Sequence, residues 1–409
     1  MTTVMESGPR PSHATALMQP AAPSAELPLD PREVREAVRG LRVAFAGGGT
    51  GGHIAPGRHL LEHVEGALGD VLWFCTGRPV EERAFAGLAN AQRVALDLEP
   101  ENGGAPSLAR LATRTLPGVA RARAELRRQR SEVLLGLGGF TTLPAVLAAR
   151  SLGIPVALLE INAAPGRATR SLARIAARTF HAWRSTLPGE QPSARDLWTG
   201  PPLPLRLLGA SRNAQSVAQA RAELGFAPER PLLVVLGGSQ GAKALNEFVA
   251  AQASLWSLHG LQVLHQTGPG RGAEAASGAH AGYRTVEFVD DVPALLRAAS
   301  AVLCRGGAST LAEVAAARCP AWVVPYPHHA DQHQERNARA LGAGVVVQDQ
   351  SRLDTSFARE LLQQLSAAFP HALEARARAL EGALPLDAAP RIWIELAALA
   401  RRTRAARGA

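Results

Sequence analysis

The chain has 409 residues, 46% hydrophobic and 19% charged, the balance of a folded globular protein with room for two domains. Its cysteines, Cys75, Cys304 and Cys319, lie far apart and in or beside apolar runs. That excludes a disulfide framework and a cysteine zinc site, and fits buried thiols in a cytoplasmic protein. The formal net charge of +9 asks for an anionic partner.

Residues 1–40 begin rich in Pro, Ala and Ser and lack a charged start followed by an apolar core. They read as a disordered N-terminal extension without a secretory signal. No apolar run approaches the ~20 residues needed to span a bilayer. The first strand, Leu41 to Ala46, breaks into Gly47-Gly48-Gly49-Thr50-Gly51-Gly52-His53, followed by a helix with Ile54, Leu60, Leu61 and Val64 on its apolar face. Strand, glycine turn and helix place backbone N–H groups and a positive helix end beside an anion. Gly47, Gly49 and Gly52 satisfy G-x-G-x-x-G, but the second strand, Val71 to Cys75, ends in Thr76-Gly77-Arg78 without the acid a dinucleotide ribose needs. Nicotinamide binding is therefore not expected.

Ser107 to Arg130 holds seven Arg and one Glu, interleaved with Leu108, Leu111, Leu116, Val119 and Leu126 and without an aromatic. A nucleic-acid groove would want stacking rings. The pattern instead predicts a pair of amphipathic helices lying on an anionic membrane surface. Strands Val133 to Leu137 and Ile154 to Leu159 follow, ending in Gly138-Gly139-Phe140 and in Glu160-Ile161-Asn162-Ala163-Ala164-Pro165-Gly166; short strands at Arg178–His181 and Asp196–Trp198 close this half. The alternation with helical segments implies a mainly parallel sheet.

Gly200 to Arg206, with three prolines, reads as the interdomain link. The second half repeats the opening: strand Leu232 to Leu236, turn Gly237 to Lys243, then a helix. Strands at Leu261–His265 and Thr285–Val289 precede Val302 to Ala338, where polar chemistry concentrates. A strand ends in Arg305-Gly306-Gly307, Ser309 or Thr310 can cap a helix carrying Glu313, and the strand Ala321 to Val324 empties into a loop with His328, His329, Asp331, Gln332, His333 and Gln334. Ligands of open parallel sheets bind beyond such strand ends. Adjacent Asp290-Asp291 reads as a strand-end and helix-cap pair, and no Asp-x-Asp metal motif occurs. The apolar helix around Trp393 is expected to pack across the domain junction. The division expected is 1–40, 41–203, 204–390 and 391–409.

In this order, Gly49 to His53, Gly138 to Phe140, Glu160 to Gly166, Gly237 to Ala242, Phe288-Val289-Asp290-Asp291 and the Val302–Ala338 stretch closely resemble the MurG family of glycosyltransferase family 28, from Leu41 to roughly Val347. The resemblance implies an α/β GT-B fold, two Rossmann-like parallel-sheet domains facing across a cleft. It also implies inverting, metal-independent transfer of N-acetylglucosamine from UDP-N-acetylglucosamine to the C4 hydroxyl of lipid I, at the cytoplasmic face of the inner membrane. No cofactor and no nucleic acid are implied. Thr50, Gly51 and Gly52 would face the acceptor diphosphate and Ser239, Gln240 and Gly241 the leaving one. Glu313 would hold the ribose, Val289 the uracil, and His333 and Gln334 the sugar; Asn162 and Ser239 would complete the donor and acceptor contacts, with Asn246 and Arg206 as further ones. His53, at a helix end that disfavours imidazolium, and Glu160 are the two candidates for the base. Members commonly have Gly-Asn-Pro-Val-Arg where this chain has Gly200 to Pro204, a Gln at Ile161, and Tyr at Phe140. Those departures bear on diphosphate contacts and acceptor affinity. They leave two other readings open: another lipid or small-molecule acceptor, and a non-catalytic UDP-sugar-binding protein.

Overall fold

The computed structural model describes residues 29–408 except 50, 89, 97–107, 190–192, 210–211, 273–281, 329–330 and 367–369. Seven strands form the first sheet: β1 (Val43–Gly47), β2 (Val71–Cys75), β3 (Ala91–Ala95), β4 (Val133–Gly138), β5 (Val156–Glu160), β6 (Arg178–His181) and β7 (Asp196–Trp198). Their order is β3-β2-β1-β4-β5-β6-β7, and every pairing is parallel. Six more make the second sheet: β8 (Leu232–Leu236), β9 (Gln262–Gln266), β10 (Tyr283–Val286), β11 (Ala301–Cys304), β12 (Ala321–Val323) and β13 (Val345–Val347). Their order is β10-β9-β8-β11-β12-β13, again all parallel.

The central strands are continuous apolar runs because helices cover both faces of each sheet; β1, β2, β5, β8 and β11 are buried throughout. In each sheet the strand order reverses beside the first strand, between β1 and β4 and between β8 and β11. A crevice forms at such a reversal, beyond the carboxyl ends.

Some expectations need correcting. Within the extension, Pro31–Ala37 is a helix, capped by the Asp30 carboxylate accepting from Arg32 N at 2.8 Å, with Val34 buried; residues 1–28 lie outside the described residues. The basic stretch forms one helix, Leu108–Arg128, with Pro117 inside it rather than between two helices. Residues 329–330, in the polar loop, also lie outside the described residues. The helix carrying Glu313 spans Ala308–Ala316 and its N-cap is Gly307, not Ser309 or Thr310.

The last helix, Ala388–Gly408, returns to the first domain. Trp393 is fully buried, donates Nε1–H to Leu60 O at 2.7 Å and meets the Phe45 ring edge-on at 6.2 Å. Arg404 pairs with Glu132, which also binds Arg42. The chain therefore passes between the domains twice, and the crossings touch. Gly200 has φ +79°, and a Cβ there would lie 2.4 Å from Pro385 O, so only glycine fits.

Candidate active site

β1 delivers the first glycine turn to the Gly51–His63 helix. A Cβ on Gly47 would strike His53 O and Leu137 Cβ at 2.7 Å, and one on Gly48 would meet Glu81 Oε1 at 2.5 Å. Glu81 is buried. Its carboxylate accepts from Gly49 N, from Gly77 N at 2.8 Å, and from Thr76 N and Arg78 N. The acid missing from the end of β2 thus occurs a few residues later, turned inward onto the loop backbone. His53 lies against Gly138 and Gly139, whose φ values are +99° and +79°; a Cβ on Gly138 would be 3.0 Å from the imidazole Cδ2. Its Nδ1 is 3.1 Å from Gly48 O. A carbonyl only accepts, so Nδ1 carries the proton there and a neutral ring has its lone pair on Nε2.

The second turn, Gly237–Gly241, leads from β8 into the Lys243–Leu258 helix. Gln266, at the end of β9, clamps it: Oε1 accepts from Gly237 N at 3.0 Å, while Nε2 donates to Gly238 O at 2.9 Å and Glu287 O at 3.2 Å. Gly241 has φ +68° and sits so close to Thr267 O that a Cβ would lie 2.0 Å away. Asn246 does not line the cleft. It is fully buried beneath the turn, donating Nδ2–H to Thr267 O at 2.9 Å, with Oδ1 3.0 Å from His265 Nε2. Asn246 Oδ1 can only accept, so His265 Nε2 donates and Nδ1 accepts from Tyr283 Oη at 2.9 Å. Burial holds the His265 pKa down at about 4, so the ring is neutral.

Between the sheets lies a cleft of about 1660 Å³ walled by both turns. Gly52, His53, Glu160, Asn162, Ser239, Gln240, Gly241, His333 and Gln334 all line it, with Lys243, Arg167, Arg271 and Arg305 as cations. The two turns nearly meet: a Cβ on Gly51 would lie 3.9 Å from Ser239 Cβ. Glu160 is buried, and both its oxygens are engaged by its own loop. Oε1 accepts from Asn162 N at 3.0 Å and Nδ2 at 3.3 Å, Oε2 from Gly166 N at 2.7 Å and Thr169 Oγ1 at 2.6 Å. A carboxylate so occupied holds the shape of its own loop. Gln334 Oε1 accepts from Tyr326 N at 2.9 Å, and His333 Nδ1 is 2.7 Å from Asp331 Oδ1.

Among the described residues, Gly51, Arg206, Val289 and Glu313 are also outside the cleft lining. Arg206 is exposed and paired with Asp291 at 2.5 Å. Asp291 also caps the next helix through Ala294 N at 3.0 Å, as its sequence position suggests. Val289 is half-buried against the second domain's core, and Thr50 lies outside the described residues. Glu313 is buried, its Oε1 3.9 Å from Nε2 of His59 on the first domain's Gly51–His63 helix. Burial first, then the neighbouring Glu62 charge, push its pKa up to about 8, against an opposing effect of Arg58. Burial lowers His59 to about 4. At neutral pH these two face each other uncharged, so the contact is no ion pair.

Sequence reasoning missed Glu81, Gln266 and Asn337. The last is fully buried and joins Ala163 N, Asn162 and Gly306 O across the domain boundary. The available signal was polarity out of place. β9 is buried throughout and reads Gln-Val-Leu-His-Gln, and buried polar side chains need dedicated partners.

Residues 43–181 match the glycosyltransferase family 28 N-terminal domain and 232–384 its C-terminal domain. A UDP-N-acetylglucosamine–N-acetylmuramyl-(pentapeptide) pyrophosphoryl-undecaprenol N-acetylglucosamine transferase of Sorangium cellulosum (strain So ce56) is 37% identical over 379 residues, 88% of this chain and 89% of that protein. Among solved structures, Acinetobacter baumannii MurG superposes with a TM-score of 0.67 at 25% identity, over 87% of this chain and 98% of that one. The calicheamicin glycosyltransferase CalG4 gives 0.60 at 18% identity, over 89% and 99%, a likeness of fold alone. The chain belongs to glycosyltransferase family 28 and has the GT-B fold.

Proposed function

We propose that the protein transfers N-acetylglucosamine from UDP-N-acetylglucosamine to the C4 hydroxyl of the muramyl sugar of lipid I, forming lipid II for peptidoglycan. The observation that carries this reading is the meeting of two glycine turns, each opening a helix, across one cleft, in a chain alike to named transferases over most of its length. A helix N-terminus with its unpaired N–H groups suits a diphosphate, and donor and acceptor each carry one.

In the proposed step the acceptor C4 oxygen bonds to the anomeric carbon as the bond from that carbon to the UDP oxygen breaks on the opposite face, inverting the centre. The electron pair leaves with the β-phosphate, and the hydroxyl proton passes to His53 Nε2. Ser239, Gln240 and Gly241, held rigid by Gln266, offer fixed dipoles to the leaving diphosphate. Lys243, Arg271 and Arg305 on the wall add positive charge without a metal ion. Asn162, His333 and Gln334 would contact the sugar, and Glu313 the ribose once it is uncovered. The protein would act at the cytoplasmic face of the inner membrane, held peripherally by the basic Leu108–Arg128 helix; no described helix is long and apolar enough to cross a membrane.

The test is purified protein with radiolabelled UDP-N-acetylglucosamine, a short-chain lipid I analogue and a chelator. Labelled disaccharide-lipid is expected. Donor binding without that product, or transfer only to another acceptor, would overturn the reading.

A further inference from the structure

Asn337 lies on the His333–Arg339 helix of the second domain, yet it is fully buried against the first. Its Oδ1 accepts from Ala163 N at 2.7 Å; its Nδ2 donates to Gly306 O at 3.0 Å and to Asn162 Oδ1 at 3.3 Å. Every polarity in this set is forced. Ala163 N–H only donates, which fixes Asn337 Oδ1; Gly306 C=O only accepts, which fixes Nδ2. Asn162 must then present Oδ1 to Asn337, and its Nδ2 faces the Glu160 carboxylate, which only accepts, at 3.3 Å. The turn that supplies Gly306 is seated flush on the same helix, since a Cβ there would lie 2.2 Å from Gln334 O.

We infer that Asn337 is a positioning residue for donor-sugar recognition: it fixes the orientation of the Asn162 carboxamide across the domain boundary. The inference rests on the transferase reading, in which Asn162 on the cleft wall meets the donor sugar. Asn162 spends one amide hydrogen and one lone pair on its two neighbours. It has one more of each to offer a sugar hydroxyl or acetamido group, in an orientation that Asn337 dictates. Without Asn337 the carboxamide is tied on one side only, to a loop of its own domain.

The test is a double-mutant cycle of Asn337→Asp with Asn162→Ala, read as the ratio of UDP-N-acetylglucosamine to UDP affinity and as kcat/KM. Asn337→Asp keeps the shape but puts an oxygen against Gly306 O and Asn162 Oδ1. It should lower the affinity ratio and kcat/KM by about tenfold or more, with UDP affinity within about twofold of the parent, the scale of one lost charge- or amide-mediated contact. In the Asn162→Ala background it should change either by no more than about twofold, because the residue it acts through is gone. Multiplicative effects, or UDP affinity falling in step with the ratio, would overturn the inference. Asn337→Ala is carried in parallel with no new repulsion; loss of fold in both variants would make Asn337 purely structural and overturn it equally. The affinity ratio needs no acceptor, so it reads this inference even where a lipid I analogue is not turned over.

Discussion

A backbone carbonyl decides what His53 can do. Gly48 O takes the Nδ1 proton, and Gly138 and Gly139, lacking side chains, let the ring lie against the end of β4. His53→Ala should therefore lower kcat by about 10²- to 10⁴-fold, the usual contribution of a general base, with UDP affinity from calorimetry nearly unchanged. Equal loss of both would make His53 a ligand contact rather than the base. The residue itself was legible in the sequence, because a glycine turn between an apolar strand and a helix announces its purpose. Asn246 was not, because an asparagine in the first turn of a helix beside a phosphate-type loop has the same sequence signature whether it faces ligand or core. Only the partner, His265 on a neighbouring strand nineteen residues away, separates the two.

At the scale of elements, apolar runs bounded by glycine gave most of both sheets. The misses were edge or near-edge strands. β3 is half-exposed and reads Ala-Gln-Arg-Val-Ala, and β13 is three valines long, too little hydrophobic pattern to stand out. The Leu108–Arg128 helix was legible as amphipathic but not in how its faces divide. Leu126 is buried in the core and Val119 packs against it, while Leu116 is 69% exposed and Arg121, Arg127 and Arg128 face solvent. The membrane attachment proposed for this helix then rests mainly on charge. Reversing Arg121, Arg123, Arg127 and Arg128 to Glu should abolish sedimentation with phosphatidylglycerol vesicles, and raising salt should weaken the parent's binding in the same assay. Sedimentation unchanged by reversal would place the contact elsewhere.

For the molecule as a whole, the domains lie together with Glu313 covered by the Gly51–His63 helix. A ribose can reach that acid only if the helix withdraws. The charged and titratable groups facing it from that helix are Arg58, His59 and Glu62. Glu313, raised to about 8, favours the covered arrangement below its ordinary range and loses that preference as pH rises toward 8. His59, depressed to about 4, favours it above about 6.5 and loses that preference as pH falls. Below about 6.5 the two trends oppose each other, and from there to about 8 the Glu313 trend is the one of the two that continues. Affinity for UDP-N-acetylglucosamine, whose diphosphate diester has no proton to lose in that window, should rise with pH between about 6.5 and 8, by up to ~10-fold per unit. Glu313→Gln should flatten the calorimetric profile and weaken binding; a flat parent profile would mean the carboxylate is already ionised beneath the helix. The return of the final helix to the first domain governs how such a withdrawal can happen. A body hung from a single cord can roll in any direction, but the second domain is hinged on two pins, near Gly200 and Pro385, that press against each other. Two connections seated on each other allow the domains fewer relative motions than one would.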